Sequence, residues 1–249
     1  MTQQNVDRLS LTSLSVEIYA KGAEIGVASG FIVRQNTSYY LITNWHIVTN
    51  RHPETGALFF NTSPQSPDEV GIWYHDAHQL GTWKLKKERL LDPQSGKPLW
   101  KEHADGKQVD VVALPVTAQS DVALYDLDLA LADTELVMRP FDSVSIIGFP
   151  YGISGSGQYP LWRTGTLSSD VNQNYSNKPV FIVDAPPTDS MSGSPVCIRK
   201  KGIIKSSKGL SIGTGEVTKF LGVHGGTVYA EARIGVVWRP DVITEILPK

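Results

Sequence analysis

Residues 26–48 read GVASGFIVRQNTSYYLITNWHIV. Two β-branched and aromatic runs, GVASGFIV and SYYLITNWHIV, are separated by a short polar segment with asparagine in it, the pattern of adjacent strands joined by a turn. The second run is expected to carry its strand through Val48. It delivers an imidazole, His46, at the end of an otherwise apolar segment, flanked by small and apolar neighbours.

The rest of the chain repeats this texture. LSLTSLSVEIYA alternates apolar and polar residues, and VDVVALPV, SVSIIGFP, LWRTGTLSS, PVFIVDA, SPVCIR, FLGVHGG and RIGVVW read as further short strands with turn residues at most junctions. Such density of strands in 249 residues predicts an all-β barrel or sandwich architecture. Only the tail, RPDVITEILPK, has helical spacing: Val242, Ile243, Ile246 and Leu247 form one apolar face behind Pro240 and Asp241. Residues 51–109 differ, carrying proline, lysine, histidine and tryptophan without long apolar runs, and are read as an extended, partly stranded insertion or elaborated loops, not as a separate domain. KKGIIKSSKGLSIGTGEVTK suits an exposed hairpin.

Composition narrows the function classes. Hydrophobic residues make up 41% and charged residues 19%, a globular balance, and the net charge of −2 gives no electrostatic reason to expect nucleic acid as a partner. No window reaches the twenty or so apolar residues of a membrane span. MTQQNVDRLSLTSLSVEIYA lacks the basic and apolar regions of a secretory signal. The lone cysteine, Cys197, rules out an intramolecular disulfide. These features predict a cytoplasmic chain without a membrane partner.

Residues 188–196, TDSMSGSPV, pose the chemical question. Serine, glycine and proline together are ordinary turn chemistry. A serine becomes a nucleophile only with a base in hydrogen-bond reach, an orienting group behind that base, and donors for the oxyanion. His46 is the histidine whose context suits the base.

Four segments together resemble the chymotrypsin-like serine peptidases. ASGFIV followed by LITNWHIV is similar to the family's Ser-Gly strand and histidine segment. DVVALPV is similar to its aspartate strand, IIGFPYG to its Gly-x-Pro turn, and SMSGSPV to its nucleophile loop. They arrive in the family's order, His, Asp, Ser, and span residues 28 to 237. The resemblance implies two antiparallel β-barrels in one peptidase domain over residues 1–249. The first barrel runs to residue 125 and carries the insertion; the second covers 126–249 and ends in the helix.

Carried over by residue, the resemblance implies His46 as general base, Asp110 as its orienting carboxylate and Ser192 as nucleophile, with the backbone N–H groups of Ser190 and Ser192 as oxyanion hole. Asp128, in YDLDLALADTEL, matches the aspartate motif as well by letters. Only 20 residues separate it from Gly148, against 38 from Asp110, too few to finish a strand and cross between barrels. Asp128 is therefore read as an exposed carboxylate on the connection. The family usually has glycine where this chain has Ser190; a glycine-like conformation there would cost about 1–3 kcal/mol of backbone strain. Met191 stands where digestive members have the aspartate that pairs with a freed amine, which argues against that activation route.

FLGVHGGTV resembles the strand lining the specificity pocket, and His224 matches the histidine that reads acidic substrate side chains in bacterial glutamyl endopeptidases. With the heat-shock-type serine proteases, these are the members the chain resembles most. Thr188, His224 and Thr227 are the expected pocket residues, implying cleavage after acidic residues. His224 satisfied locally, or Asp189 turned inward to favour a basic side chain, are the other readings. The resemblance implies a peptide or protein substrate and no cofactor. A protease without an added binding domain would suit a regulated bacterial effector with a regulatory protein as partner. A catalytically silent or substrate-gated binding module on the same fold is the competing function.

Weaker signals are read as structural. His75, Asp76 and His78 in YHDAHQ have metal-ligating chemistry but no further ligands in sequence, and are read as a polar edge of the insertion, with no metal expected. Asn61-Thr62-Ser63 fits the glycosylation pattern and is read as a turn. GISGSGQ lacks the lysine and helix of a phosphate loop.

Overall fold

The computed structural model describes residues 6–60, 64–206, 209–229 and 231–248, with side chains described outside 203–214. Asn61-Thr62-Ser63 falls outside the described residues. The chain forms two antiparallel β systems. The first contains β1 Ser13–Ala20, β2 Ala23–Gln35, β3 Ser38–Thr43, β4 Glu69–Asp76, β5 Trp83–Arg89, β6 Lys101–Glu102, β7 Val112–Val116 and β8 Val122–Ala123. Its ladder runs β5-β4-β1-β2-β3-β7-β6, with β8 also paired to β4. The second is a closed six-stranded barrel of β9 Ser143–Gly148, β10 Leu161–Leu167, β11 Val180–Asp184, β12 Pro195–Ser206, β13 Gly209–Tyr229 and β14 Ile234–Trp238. The ends of the first ladder are blunt: β5 carries Lys84, Lys86 and Lys87, and β6 is two residues long, both of which discourage further strand pairing.

Alternation along the strands distributes side chains among separate cores. In β2, Ile32 points into the first system, with Val16, Leu41 and Ile72. Its neighbours Phe31 and Val33 point to a cluster shared by both halves, with Ile147, Phe220 and Trp238. In β9, Ile146 faces the interior of the second barrel with Phe181, Val196 and Val237, while Ile147 joins the shared cluster. The C-terminal helix, α3 Asp241–Ile246, buries Val242, Ile243 and Ile246, and Leu247 behind it, against the shared cluster.

Three local readings change. The run LSLTSL starts as a helical turn, α1 Arg8–Thr12, because Asp7 caps it by accepting from Leu9 N at 2.9 Å. The strand in SYYLITNWHIV ends at Thr43, and residues Trp45–Thr49 form a second helical turn, α2. Asn50, left-handed at φ +53°, ends that turn against the strand preference of the β-branched Ile47 and Val48. Within the stretch 51–109, β4 pairs with β1 and β5 with β4, so residues 69–89 are part of the main ladder. The hairpin suggested for the lysine- and glycine-rich segment exists as β12 paired with β13, out to Ser206 opposite Gly209. Among the described residues no helix is long and apolar enough to cross a membrane.

Candidate active site

α2 and the segment before β7 bring His46 and Asp110 together. His46 Nδ1 lies 2.7 Å from Asp110 Oδ2, and the His46 backbone N–H donates to Oδ1 at 2.9 Å. Both carboxylate oxygens thus hold one residue. Asn44 fixes the arrangement from behind: instead of capping α2 its Nδ2 donates to the Asp110 main-chain carbonyl at 2.6 Å. Both His46 and Asp110 are buried. Asp128 is elsewhere, exposed, with Oδ1 accepting from Ala130 N at 2.9 Å to cap a short 3-10 helix.

The nucleophile loop is docked between the two halves. Ser29 N donates to Ser192 O at 3.0 Å, and Ser29 Oγ donates to Ser190 O at 2.9 Å. Gly193 N donates to His224 O at 2.9 Å, and Tyr151 N to Asp189 O at 2.9 Å. Gly193 has φ +86°, and a Cβ there would sit 2.0 Å from Ser29 O, so the Ser-Gly step follows from both conformation and space. Ser190 has φ +66°, the glycine-like conformation, held by the Ser29 hydroxyl at its carbonyl. The N–H groups of Ser190 and Ser192 donate to nothing among the described residues. Met191 is buried in the second-barrel core, which explains an apolar residue at that step.

His46, Asp110, Ser190 and Ser192 border one cleft of about 950 Å³. Thr188, Thr227 and Asp189 border it too. His224 is not on this surface; it sits just behind, on a small cavity that it shares with Thr188. Burial pushes its imidazole down to about 4, with the neighbouring His46 adding in the same direction.

Several cleft residues carried no readable signal in the sequence. The Phe59 ring lies against the His46 imidazole with centroids 4.0 Å apart. Glu54, in the same loop, pairs with Lys178 of the second half at 2.8 Å, and both line the cleft. His46 Nε2 is buried without a hydrogen-bond partner among the described residues. The aromatic pair Phe59-Phe60 inside a polar stretch is the one hint the letters offered.

The histidines of YHDAHQ take other roles. His75 is buried and not at a polar edge, because the alternation of β4 turns it inward; its Nε2 meets the Leu11 carbonyl at 3.1 Å. Asp76 pairs with Lys84 at 2.9 Å. Among the described residues no three histidine, cysteine or carboxylate side chains gather to hold a metal.

The family model for the trypsin-like peptidase domain matches residues 28–203. Comparison with curated protein sequences gives no match. Among solved structures, the MamO protease domain from Magnetospirillum magneticum superposes with TM-score 0.53 at 16% identity, over 97% of this chain and 98% of that one. A serine endoprotease from Yersinia pestis gives TM-score 0.52 at 14% identity, over 96% of this chain and 62% of that one. The HtrA-type protease AlgW with tripeptide gives TM-score 0.52 at 15% identity, over 96% of this chain and 59% of that one. At these identities the likeness is one of fold.

Proposed function

The chain belongs to the trypsin-like peptidase family and is a serine endopeptidase, and we propose that its triad is His46, Asp110 and Ser192. The observation that carries this is the two-point grip of the Asp110 carboxylate on His46. An ionised carboxylate only accepts, so Nδ1 carries the proton and Nε2 keeps the lone pair a general base needs. His46 Nε2 takes the Ser192 hydroxyl proton as Oγ attacks the peptide carbonyl carbon. The oxygen of that carbonyl becomes an oxyanion facing the Ser190 and Ser192 N–H groups, which have no competing acceptor among the described residues. Collapse breaks the C–N bond, with the proton passing from Nε2 to the leaving amine, and water then releases the acyl group by the same path. Imidazolium formed on the way is stabilised by Asp110.

Thr188, Thr227 and His224 form the substrate pocket in this reading, with cleavage after an acidic residue and a peptide or protein as substrate. A second reading, a silent or substrate-gated binding module, draws on the buried, unpartnered His46 Nε2 beneath Phe59. A serine-reactive phosphonate separates the two. Covalent labelling of the wild type and not of Ser192→Ala is the result expected of the enzyme. No labelling under any condition, peptide present or absent, favours the silent module.

A further inference from the structure

A carboxylate-reading pocket asks of His224 something its hydrogen bonding withholds. Its Nδ1 lies 3.3 Å from the Met191 carbonyl oxygen. A carbonyl only accepts, so Nδ1 carries the proton and Nε2 of the neutral ring presents a lone pair. A lone pair repels a carboxylate oxygen and would accept instead from a primary amide. With the ring neutral at physiological pH, His224 alone suits glutamine better than glutamate. Some other group must supply the positive charge.

Arg163 is placed to do so. It stands in β10 opposite Ile146 of β9, and Ile146 stands opposite Val196 of β12. Directly opposed residues share a sheet face, so Arg163 rises from the same face as two side chains of the second-barrel core. There it lines the small cavity behind the cleft with His224, Met191 and Thr188, and Thr188 borders both spaces. Arg199, Lys200 and Arg233 of this barrel have counter-ions in Asp7, Asp142 and Asp184, and Lys219 donates to the Thr134 carbonyl. Arg163 has neither an ion pair nor a hydrogen bond among the described residues. Half-buried in the barrel wall, its guanidinium is left without a protein anion and open to one that arrives.

We infer that Arg163 is the specificity-determining cation of the substrate pocket, drawing the carboxylate of a glutamate side chain in beside Thr188 and His224. The inference rests on the endopeptidase reading and on its acid-selective pocket. The titratable group whose charge bears on His224 is His46. An imidazole's charge comes and goes within the working range, whereas a guanidinium stays charged throughout it.

The test uses two peptides that differ only in glutamate or glutamine before the cleaved bond, followed from pH 6 to 9. Wild type is expected to prefer glutamate by about tenfold or more across that range. Arg163→Gln should bring the ratio to about one, mainly by losing glutamate cleavage, and Arg163→Lys should retain part of the preference. An unchanged ratio in Arg163→Gln overturns the inference, as does a wild-type preference that vanishes as the pH rises through 7, since that assigns the charge to a histidine. Turnover with glutamine preferred overturns the acidic pocket itself. Absence of both turnover and phosphonate labelling overturns the endopeptidase reading and the inference with it.

Discussion

Replacing Asp110 by asparagine tests the triad through one proton. In the wild type Oδ1 accepts from the His46 backbone N–H at 2.9 Å and Oδ2 faces Nδ1 at 2.7 Å. An asparagine in the same place has one oxygen and one NH2. The backbone N–H can only donate, so the amide oxygen must take the Oδ1 position. The NH2 then faces Nδ1, which becomes an acceptor, and the ring proton moves to Nε2. A base whose lone pair has been turned away cannot accept the Ser192 proton. The expected loss in kcat is on the order of 10⁴-fold, or about 5 kcal/mol of transition-state stabilisation. Stability should change little, because the Asn44 bond is to the Asp110 main chain and survives. Turnover of a fluorogenic peptide reads the loss, and ¹⁵N NMR of the His46 ring reads the tautomer. Asp128→Asn is the matched control: asparagine also caps helices well, so activity should stay within about twofold of wild type. An Asp110→Asn enzyme above a tenth of wild-type activity, or the large loss appearing in Asp128→Asn, would refute the reasoning.

Two further outcomes concern the supporting structure. Gly193→Ala places a Cβ at φ +86° and 2.0 Å from Ser29 O, so the nucleophile loop must leave its dock; phosphonate labelling should fall at least about tenfold, with stability lower by about 2–4 kcal/mol, and normal labelling would show that the docked loop is not required. His75 and His224 are both lowered by burial from 6.5 to about 4. The unfolded chain therefore binds protons that the folded chain refuses: stability is full above pH 6.5, falls as pH drops towards 4, and levels below it, by about 2–3 kcal/mol for each group. Urea unfolding between pH 4 and 7 checks the slope, which His75→Gln should reduce by about half; an unchanged slope in the variant would count against burial as its cause.

How much of the fold the sequence disclosed follows from which forces act locally. Alternation and β-branched runs located most of the strands, and the apolar face of Val242, Ile243 and Ile246 located α3, because both are one-element patterns. The errors fall where two signals compete. Ile47 and Val48 favour a strand, but Asn44, tied to the Asp110 main chain, and the left-handed Asn50 frame a helical turn, and that turn is what points His46 at Asp110. The segment 69–89 reads as an insertion because β5 is an edge strand whose charged residues erase the alternation.

The candidate site was legible for a different reason: its residues are tied to short segments whose chemistry is restrictive. Gly193 is there because Ser29 O leaves no room for a Cβ, and Ser29 is small because the loop docks on it. Contacts between separate segments left no such mark. Nothing local relates Glu54 to Lys178, which meet only after both halves have folded, nor Phe59 to His46 and Arg163 to His224, which separate segments of one half bring to the same place. His224 shows the consequence for the proposed pocket. Its letter matches an acid-reading histidine, yet the Met191 carbonyl fixes its proton on the far nitrogen. On the proposed role of Arg163, the choice between an acid and an amide falls to a partner that the strand carrying His224 does not encode.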